Sequence, residues 1–221
     1  MAADRASRLY NLATMMDPSS LFGQIDIYLF DQLLRGRIGP GMTVLDAGCG
    51  QGRNLVFFLR QAYQVFAVDP DPAAIRSVQS LAERLAPQLP LSNFRTEAVE
   101  SSTFPDHAAD VVISSAVLHF ARDESHFQAL LRGTWRLVKP NGLFFCRLAS
   151  SIGMESRFTP LGGRRFALPD GTERFLVNES YLLDLTSGLG GTLADPLKTT
   201  VVQDRRCMTT WVLKKAAGSV V

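Results

Sequence analysis

Apolar residues recur at helical spacing before position 40 and in short strand-like runs after it. Two helical stripes precede the break at Gly39-Pro40-Gly41, one at Leu9, Leu12, Ala13 and Met16 and one at Ile25, Leu29, Phe30, Leu33 and Leu34. Beyond the break, apolar runs alternate with helical segments, which is typical of βαβ units and a parallel sheet. The predicted strands cover 42–47, 64–69, 93–99, 111–115 and 143–148, and the predicted helices cover 52–61, 72–85 and 124–138.

The pattern changes after residue 148. In residues 164–177, a Pro-Asp-Gly turn separates two strand-like runs, which predicts a hairpin or an ordered flap. Asn178 is placed to cap the helix that follows, and Gly188 is placed to end it. The last two runs of Thr, Val and Trp are separated only by residues 203–206, so we expect them to pair antiparallel.

The bulk composition indicates an ordinary globular protein. A chain of 221 residues with 46% hydrophobic and 20% charged residues suits one large α/β domain. The sequence shows neither a signal peptide nor a membrane-length apolar run, which predicts a cytoplasmic location and no membrane partner. Cys49, Cys146 and Cys207 are odd in number and widely separated, so we expect reduced core thiols rather than a disulfide framework or a zinc site.

The charge is uneven along the chain. Residues 131–221 hold 13 Lys and Arg against 7 Asp and Glu. This excess could attract an anionic substrate or a nucleic acid, or could simply form a solvated surface. The sequence shows no RNA-binding domain or basic-aromatic platform, so we predict no nucleic-acid partner.

The most informative stretch is an apolar strand that runs into Gly48, Gly50 and Gly52 and then into a helix. Glycines in such a loop let the backbone come into contact with a ligand. The dinucleotide fingerprint would need a small residue at position 53, where this chain has Arg53. Asp46 stands at the mouth of the loop and favours a ligand with an amino group or a sulfonium over a pyrophosphate.

A second apolar strand ends in Asp69, 21 residues after Gly48. A carboxylate at the end of the second strand can accept hydrogen bonds from both hydroxyls of a ribose. The alternative is that Asp69 only caps the following helix. The spacing favours ribose binding.

Five segments resemble the ordered motifs of class I S-adenosylmethionine-dependent methyltransferases over roughly residues 40–150: VLDAGCGQG, VFAVDPDP, FRTEAVESSTFPD, DVVISSAVLHF and LVKPNGLFFCRL. The GQGRN and TTWVLKK segments are also similar to small bacterial methyltransferases of the tellurite-resistance type. The resemblance implies a Rossmann-like three-layer α/β sandwich with a seven-stranded, mostly parallel sheet whose last strand is antiparallel. It implies a single domain over 1–221, with an N-terminal helical lid (1–40), a cofactor-binding half (41–150) and a substrate-side flap with a terminal antiparallel hairpin (151–221).

The resemblance also implies S-adenosyl-L-methionine as cofactor and S-adenosyl-L-homocysteine as product. Its third motif often reads Gly-Asp-Ala, whereas the aligned residues here are Glu97, Ala98 and Val99, so backbone at Val99 with Glu97 or Glu100 nearby is expected to replace the missing carboxylate. Arg53 is expected either to pair with the cofactor carboxylate or to face solvent. The cofactor contacts carried over are Asp46, Ala47, Gly48, Cys49, Gly50, Arg53, Asn54, Asp69, Pro70, Ala98, Val99, Glu100, Ser114 and Ser115.

A sulfonium methyl is already activated, so the protein mainly has to position the acceptor and exclude water. His119 is the candidate general base because an imidazole titrates near neutral pH, and the alternative is a packing histidine. Arginines after the fifth strand are expected either to hold an anionic acceptor or to serve solubility. They are Arg147, Arg157, Arg164, Arg165 and Arg174, while Tyr10, Phe22 and Tyr28 are candidates for a lid over the site or for core packing.

The function favoured by these features is methyl transfer to a small molecule, with Tyr10, Arg147 and Arg164 as the predicted substrate contacts. The missing Asn/Asp-Pro-Pro-aromatic signature at 114–117 argues against methylation of adenine N6 or glutamine. The three scattered histidines predict no metal site. Two alternatives stay open, a non-catalytic module that binds the cofactor or its product and an NAD-linked oxidoreductase. The acceptor atom and the choice between monomer and homodimer are also open.

Overall fold

Apolar side chains on both faces of the central strands bring helices onto each face of the sheet. The computed structural model describes residues 17–218. Along the chain, the elements are α1 (Pro18–Phe22), α2 (Ile27–Leu34), β1 (Thr43–Ala47), α3 (Val56–Arg60), β2 (Gln64–Asp69), α4 (Pro72–Leu85), β3 (Phe94–Thr96), β4 (Ala109–Ser115), α5 (Glu124–Arg136), β5 (Val138–Ala149), β6 (Thr159–Gly162), β7 (Arg165–Ala167), β8 (Glu173–Phe175), α6 (Glu179–Gly188), β9 (Gly191–Leu193), β10 (Lys198–Val202) and β11 (Arg206–Lys215).

Two hydrophobic cores lie on opposite faces of the main sheet. Leu45 of β1 packs in one core with side chains of α5 and α6, among them Phe127 and Leu182. Its neighbour Val44 packs in the other core with side chains of α2, α3 and α4. Because successive strand residues point to opposite faces, this alternation produces the predicted three-layer α/β sandwich.

The main sheet has the order β10-β11-β5-β4-β1-β2-β3. Strands β1 to β5 pair in parallel, and β11 pairs antiparallel with both β5 and β10. The predicted seven-stranded sheet with an antiparallel last strand is therefore confirmed, as is the terminal antiparallel pair. The short strand β9 adds to the edge of β11 and was not predicted.

Helix boundaries follow the local capping chemistry. Asp71 accepts a hydrogen bond from the N–H of Ala73 at 2.8 Å, and α4 covers the predicted residues 72–85. Asn178 accepts from the N–H of Tyr181 at 3.1 Å, and α6 ends at Gly188 as predicted. Side-chain oxygens before a helix satisfy backbone donors that have no partner inside it.

Strands β1 and β4 and helix α5 differ from the prediction by one or two residues, and three elements differ by more. Helix α3 is shorter than 52–61, because turns occupy residues 51–55 and Gly52 has a φ of +79°, outside the helical region. Strand β3 ends at Thr96, before the 3₁₀ turn Val99–Ser101. Strand β5 runs over twelve residues, since β4 and β11 pair with it on both sides.

The predicted hairpin in 164–177 is confirmed as β7 and β8, and β6 joins them in a separate three-stranded antiparallel sheet. We call residues 159–175 the flap sheet. Its turn is closed by the N–H of Gly171, which donates to the carbonyl of Leu168 at 2.9 Å. Leu168 is buried in a third small core with Ala149 and Cys207 of the main sheet.

The second N-terminal stripe packs on the sheet through Leu29, whereas its last member, Leu34, is 71% exposed. Leu29 of α2 is fully buried among residues of β1 and α3, and Phe22 stacks on Phe57 with ring centroids 5.0 Å apart. The first stripe, including Tyr10, lies outside the described residues. Within residues 17–218, the helices fall short of the length and apolarity that crossing a bilayer requires.

Candidate functional site

The glycine loop lies at the sheet edge where β1, β2 and β4 end. These strands are parallel, and β1 lies between the other two, so the order of strands along the sheet reverses beside β1. In open α/β sheets, ligands bind in the crevice at such a reversal. The N–H groups of Gly48 and Cys49 donate to the carbonyl of Val68 at 2.8 and 3.1 Å, which fixes the loop to the end of β2.

The glycines of the loop serve two different purposes. Gly48 has a φ of +86°, and a Cβ there would lie 2.4 Å from Cγ2 of Val117, so only glycine fits against the protein. Gly50 has a φ of +51°, and a Cβ there would meet no protein atom within 4 Å. The space beside Gly50 belongs to a cavity, and its bare backbone lets a ligand come close.

This first cavity has a volume of about 810 Å³, which is within the range of small-molecule sites. Eleven of the fourteen predicted cofactor residues line it: Gly48, Cys49, Gly50, Arg53, Asn54, Asp69, Pro70, Ala98, Val99, Glu100 and Ser115. Its wall also contains residues that the sequence analysis did not assign: Gln24, Gln51, Ala116, Val117, Phe120, Arg122, His126 and Leu130. Most of these residues are brought to the cavity only by the tertiary fold.

The other three predicted residues lie behind the wall. Asp46, Ala47 and Ser114 are buried in β1 and β4 and do not line the first cavity. Ala47 packs in the hydrophobic core of the α5 face, because the alternation of β1 turns it there. The prediction of direct contacts from Ala47 and Ser114 is therefore not supported by their positions.

Asp46 carries a buried carboxylate without a partner. Neither oxygen has a hydrogen-bond donor among residues 17–218. Burial raises the pKa of Asp46 to about 8, while the charge of Arg53 opposes this rise and that of Asp69 adds to it. An unpaired buried carboxylate is costly, and a nearby ligand cation would offset that cost.

Asp69 carries a carboxylate that is held in place at the end of β2. Its Oδ2 accepts from the N–H of Gly50 at 2.9 Å, and its Oδ1 accepts from the N–H of Asp71 at 3.0 Å. Each oxygen keeps a second lone pair, and Asp69 lines the first cavity. The cap of α4 is Asp71, so the alternative that Asp69 caps this helix is wrong.

A second cavity of about 330 Å³ adjoins the first and shares Arg53, Ala116 and Phe120 with it. The flap sheet, β5 and β11 supply most of its wall. The remaining lining residues are His119, Arg147, Ala149, Leu168, Asp170, Thr172, Arg174, Val202, Arg206, Cys207 and Met208. Four guanidinium groups thus surround this space, together with one carboxylate.

The family model of the methyltransferase domain matches residues 45–146, the segment that contains the glycine loop and both carboxylates. By this match and by its curated relatives, the chain is similar to S-adenosylmethionine-dependent methyltransferases, and it shares the class I fold of this superfamily. The first cavity fits the cofactor of this superfamily in two respects. The unpartnered Asp46 suits its cationic methionine end, and Asp69 suits its ribose hydroxyls.

Known methyltransferases resemble this chain at moderate identity. A ubiquinone biosynthesis O-methyltransferase of Methylobacterium sp. (strain 4-46) is 29% identical over 164 residues, which are 70% of this chain and 63% of the relative. The chain spans 49% and 42% of two further curated relatives, so it covers less than two thirds of each of these three proteins.

Two solved methyltransferase structures share the fold. The 1,6-didemethyltoxoflavin-N1-methyltransferase of Burkholderia thailandensis, with bound 1,6-didemethyltoxoflavin and S-adenosylhomocysteine, aligns at a TM-score of 0.64 and 19% identity over 97% of this chain and 86% of that one. A TehB-like S-adenosylmethionine-dependent methyltransferase from Corynebacterium glutamicum aligns at a TM-score of 0.57 and 19% identity over 96% and 97%. At these identities the likeness shows the fold alone, and the tellurite-resistance type stays a prediction.

The two acidic residues of the third motif, Glu97 and Glu100, have different surroundings. The carboxylate of Glu97 accepts from the N–H and the hydroxyl of Thr103 at 2.8 and 2.6 Å, so it stabilises its own loop. Glu100 lines the first cavity and lies 3.4 Å from Nε2 of His126. Nδ1 of His126 accepts from the N–H of Arg122 at 3.2 Å. The position of His126 beside Glu100 was not predicted, because no local pattern in the sequence shows that α5 brings the two residues together.

His119 is buried at the wall of the second cavity. Its Nδ1 accepts from the N–H of Ala149 at 3.0 Å, which assigns the proton to Nε2. Burial lowers the pKa of His119 to about 4, and the charge of Arg174 adds to this. At neutral pH the imidazole is therefore uncharged, and the nitrogen that could take a proton is already used by the backbone.

The predicted substrate arginines separate into two groups. Arg147 and Arg174 line the second cavity. Arg164 lies outside both cavities, stacked 3.8 Å from the ring centroid of Tyr181 and 3.6 Å from a carboxylate oxygen of Glu124. Its contacts with α5 and α6 hold it away from the site. The other two predicted arginines form ion pairs. Nη2 of Arg157 lies 4.0 Å from Oδ2 of Asp204, and Nη2 of Arg165 lies 2.6 Å from Oε2 of Glu173.

The three cysteines are buried and free, as expected from their spacing. Burial raises the pKa of the Cys49 thiol, with the charges of Asp46 and Asp69 adding to the shift. Cys49 therefore stays protonated in the wall of the first cavity, which suits a packing role rather than a nucleophilic one.

Proposed function

We propose that this protein transfers the methyl group of S-adenosylmethionine to a small anionic molecule bound in the second cavity. The observation that carries the proposal is the pair of adjoining cavities, one next to a buried unpaired carboxylate and one surrounded by guanidinium groups. Relatives named for ubiquinone biosynthesis and for 1,6-didemethyltoxoflavin support a small-molecule acceptor.

Behind the wall of the first cavity, Asp46 provides the negative charge that favours the sulfonium and amino groups of the cofactor, and Asp69, in the wall itself, accepts from the ribose hydroxyls. Pro70, Ala98 and Val99 form the wall for the adenine. When bound, S-adenosylmethionine supplies a methyl group that its sulfonium already activates. The protein then has to bring the acceptor within near-attack distance and exclude water.

The second cavity suits an acceptor with both an anionic group and an apolar body. Arg174 lies over the ring of Phe120, with its guanidinium carbon 4.8 Å from the ring centroid, and Leu168 and Met208 add apolar surface. Arginine binds carboxylate and phosphate groups through parallel hydrogen bonds. Because Ala116 and Phe120 border both cavities, an acceptor held here lies next to the cofactor site.

Proton removal does not depend on His119 in this proposal. Its Nε2–H is a donor, which suits orienting an oxygen of the acceptor. Although burial opposes the shift, hydrogen bonds to Oδ1 of Asp170 from the hydroxyl and N–H of Thr172, at 2.6 and 3.0 Å, lower the pKa of this carboxyl group in the same cavity and make it a weak base. The acceptor atom is therefore expected to be ionised in solution or to carry a free lone pair.

The test uses tritium in the methyl group of S-adenosylmethionine. The purified protein is incubated with the labelled compound and a protein-free small-molecule extract, and the products are separated on an anion exchanger. We expect label in the retained, anionic fraction and much less label with Asp69→Ala. Label confined to the unretained fraction would contradict an anionic acceptor.

Binding without transfer is the alternative that one observation favours, because His119 offers no free proton acceptor. Calorimetry with S-adenosylhomocysteine separates the two functions. Tight binding combined with no labelled product in single-turnover incubations would favour a binding module, whereas labelled product supports the enzyme.

A further inference from the structure

Asp26 places a buried carboxylate at the boundary of the two cavities. The side chain is fully buried, and its Oδ2 accepts from Nη1 of Arg147 at 2.9 Å and lies 3.6 Å from Nη2 of Arg53. Arg53 lines both cavities and Arg147 lines the second. One carboxylate therefore joins two arginines that come from distant parts of the chain.

The segment that carries Asp26 is itself fixed to the site. The N–H of Asp26 donates to Oδ1 of Asn54 at 3.0 Å, and its Oδ1 accepts from the N–H of Tyr28 at 3.0 Å, which caps α2. The hydroxyl of Tyr28 lies 2.6 Å from Oγ1 of Thr200 on β10. These contacts leave the carboxylate little freedom to move away from the arginines.

The charges around Asp26 do not cancel. Two guanidinium groups face one carboxylate, so one positive charge is left over at the boundary. Arg53 uses Nη2 to donate to Oγ of Ser115 at 2.9 Å, and Nε of Arg147 is buried without a hydrogen-bond partner among residues 17–218. A buried donor of this kind is costly unless a ligand accepts from it.

We propose that Asp26 is a positioning residue that holds Arg53 and Arg147 so that they bind the anionic group of the acceptor. This inference rests on the proposed anionic acceptor. It also gives the N-terminal segment a role, because this segment supplies the carboxylate of Asp26 that holds the two arginines. Side chains already held in the bound geometry lose less freedom when a ligand binds.

The direction in which anion affinity changes on substitution of Asp26 distinguishes a positioning role from a purely electrostatic one. Asp26→Asn removes a negative charge, so the site becomes more positive and, on charge alone, should bind an anion more tightly. If Asp26 positions the arginines, the same substitution should weaken anion binding. Asn is a good helix N-cap, so the cap of α2 is retained.

The probe is benzoate, which combines a carboxylate with an apolar ring. Its binding to the protein saturated with S-adenosylhomocysteine is followed through the side-chain Nε–H resonance of Arg147 by nuclear magnetic resonance. We expect Asp26→Asn to raise the Kd of benzoate at least fivefold while the Kd of S-adenosylhomocysteine changes less than twofold. Asp26→Ser, which also keeps a capping oxygen, serves as the second variant if Asp26→Asn does not fold.

The matched control is Asp17→Asn, which changes the exposed N-cap of α1 and should leave benzoate binding unchanged. Equal or tighter benzoate binding in Asp26→Asn overturns the positioning role alone. Weaker S-adenosylhomocysteine binding in the same variant also overturns it, because Asp26 would then act on the cofactor site. If the wild type itself binds no benzoate, the anionic acceptor site fails together with this inference.

Discussion

At the scale of single residues, two aspartates that resemble each other in sequence have opposite surroundings. Asp46 is the next-to-last residue of β1, and Asp69 is the last residue of β2. Asp69 receives two backbone N–H groups, whereas Asp46 receives none among the described residues. The same side chain is therefore a fixed hydrogen-bond acceptor in one place and a buried carboxyl group without a donor among the described residues in the other.

The first prediction concerns the pH dependence of cofactor binding. Because burial raises the pKa of Asp46 to about 8, its carboxyl group is protonated at pH 6 in the free protein. A cationic ligand favours the ionised form. We expect the affinity for S-adenosylmethionine to rise from pH 6 to pH 8, with proton release measured by calorimetry in buffers of different ionisation enthalpy. Asp46→Asn should bind at least tenfold more weakly at pH 8 and show no such release.

The same pKa predicts how stability depends on pH. The pKa in the folded state exceeds the ordinary aspartate value of 3.8, so the unfolded chain loses this proton first. The stability that the protonated group contributes is present below about pH 4 and is lost as the pH rises toward 8. Asp46→Asn should remove this part of the pH dependence in urea unfolding. Identical pH slopes for the two proteins would contradict the raised pKa.

A second prediction concerns Glu100, which lines the first cavity beside Ala98. If its carboxylate accepts from the adenine amino group, S-adenosylhomocysteine should bind at least fivefold more tightly than S-inosylhomocysteine, whose oxygen cannot donate. In Glu100→Gln, the side-chain amide can donate to that oxygen, so the preference should shrink or reverse. Titration calorimetry with both ligands measures this preference.

The matched control for this prediction is Glu97→Gln, in the same loop but bonded to Thr103. It should keep the wild-type preference between the two ligands. A Glu100→Gln protein with an unchanged preference would show that the adenine amino group is recognised elsewhere.

At the scale of elements, the loop between β1 and α3 has one face packed on the protein and one face open to the cavity. A Cβ on Gly48 would collide with Val117, and a Cβ on Gly52 would lie 3.0 Å from Val78. A Cβ on Gly50 would instead enter open space. Packing against the protein thus fixes the shape of the loop, while its open face is left for a ligand.

The third prediction compares two glycine substitutions. Gly50 and Gly41 both have positive φ values and both have room for a Cβ. Each alanine variant should lose about 1 kcal/mol of unfolding free energy, because the backbone conformation is strained for a residue with a Cβ. Only Gly50→Ala should weaken S-adenosylhomocysteine binding, by about tenfold or more, since only Gly50 borders the cavity. Equal affinities in the two variants would count against close backbone approach at Gly50.

At the scale of the whole molecule, the first cavity draws its wall from segments between Gln24 and Leu130. These segments are the chain ahead of α2, the ends of and loops after β1, β2, β3 and β4, and helix α5. A ligand that contacts all of them binds only the folded protein. Its binding therefore adds directly to global stability.

The fourth prediction follows from this linkage. S-adenosylhomocysteine at one hundred times its Kd should stabilise the fold by about 2.7 kcal/mol. For a chain of this size, that corresponds to a rise in Tm of roughly 5–10 °C. Thermal unfolding should show this rise with S-adenosylhomocysteine and none with NAD. A rise with NAD alone would favour the oxidoreductase alternative.

Local features were predicted well from the sequence. The glycine loop, the Asn178 cap and the helix at 72–85 all depend on neighbouring residues, so a linear pattern reveals them. The prediction for α3 was too long, because the turns that bring Gly52 against Val78 depend on packing with α4. Strand β9, the eighth strand of the main sheet, was not predicted, because its three residues are too few to show a periodic pattern of apolar positions.

The amino-acid sequence by itself determined the alternation of strands and helices, the glycine loop and the two carboxylates beside it. Those properties follow from short-range chemistry and hydrophobic periodicity. Only the tertiary structure decided the protonation of His119, the position of Arg164 outside the site and the contact between Asp26 and Arg147, which are 121 positions apart. Burial and pairing of charges depend on which surfaces the fold brings together, and a linear sequence does not contain that distance information.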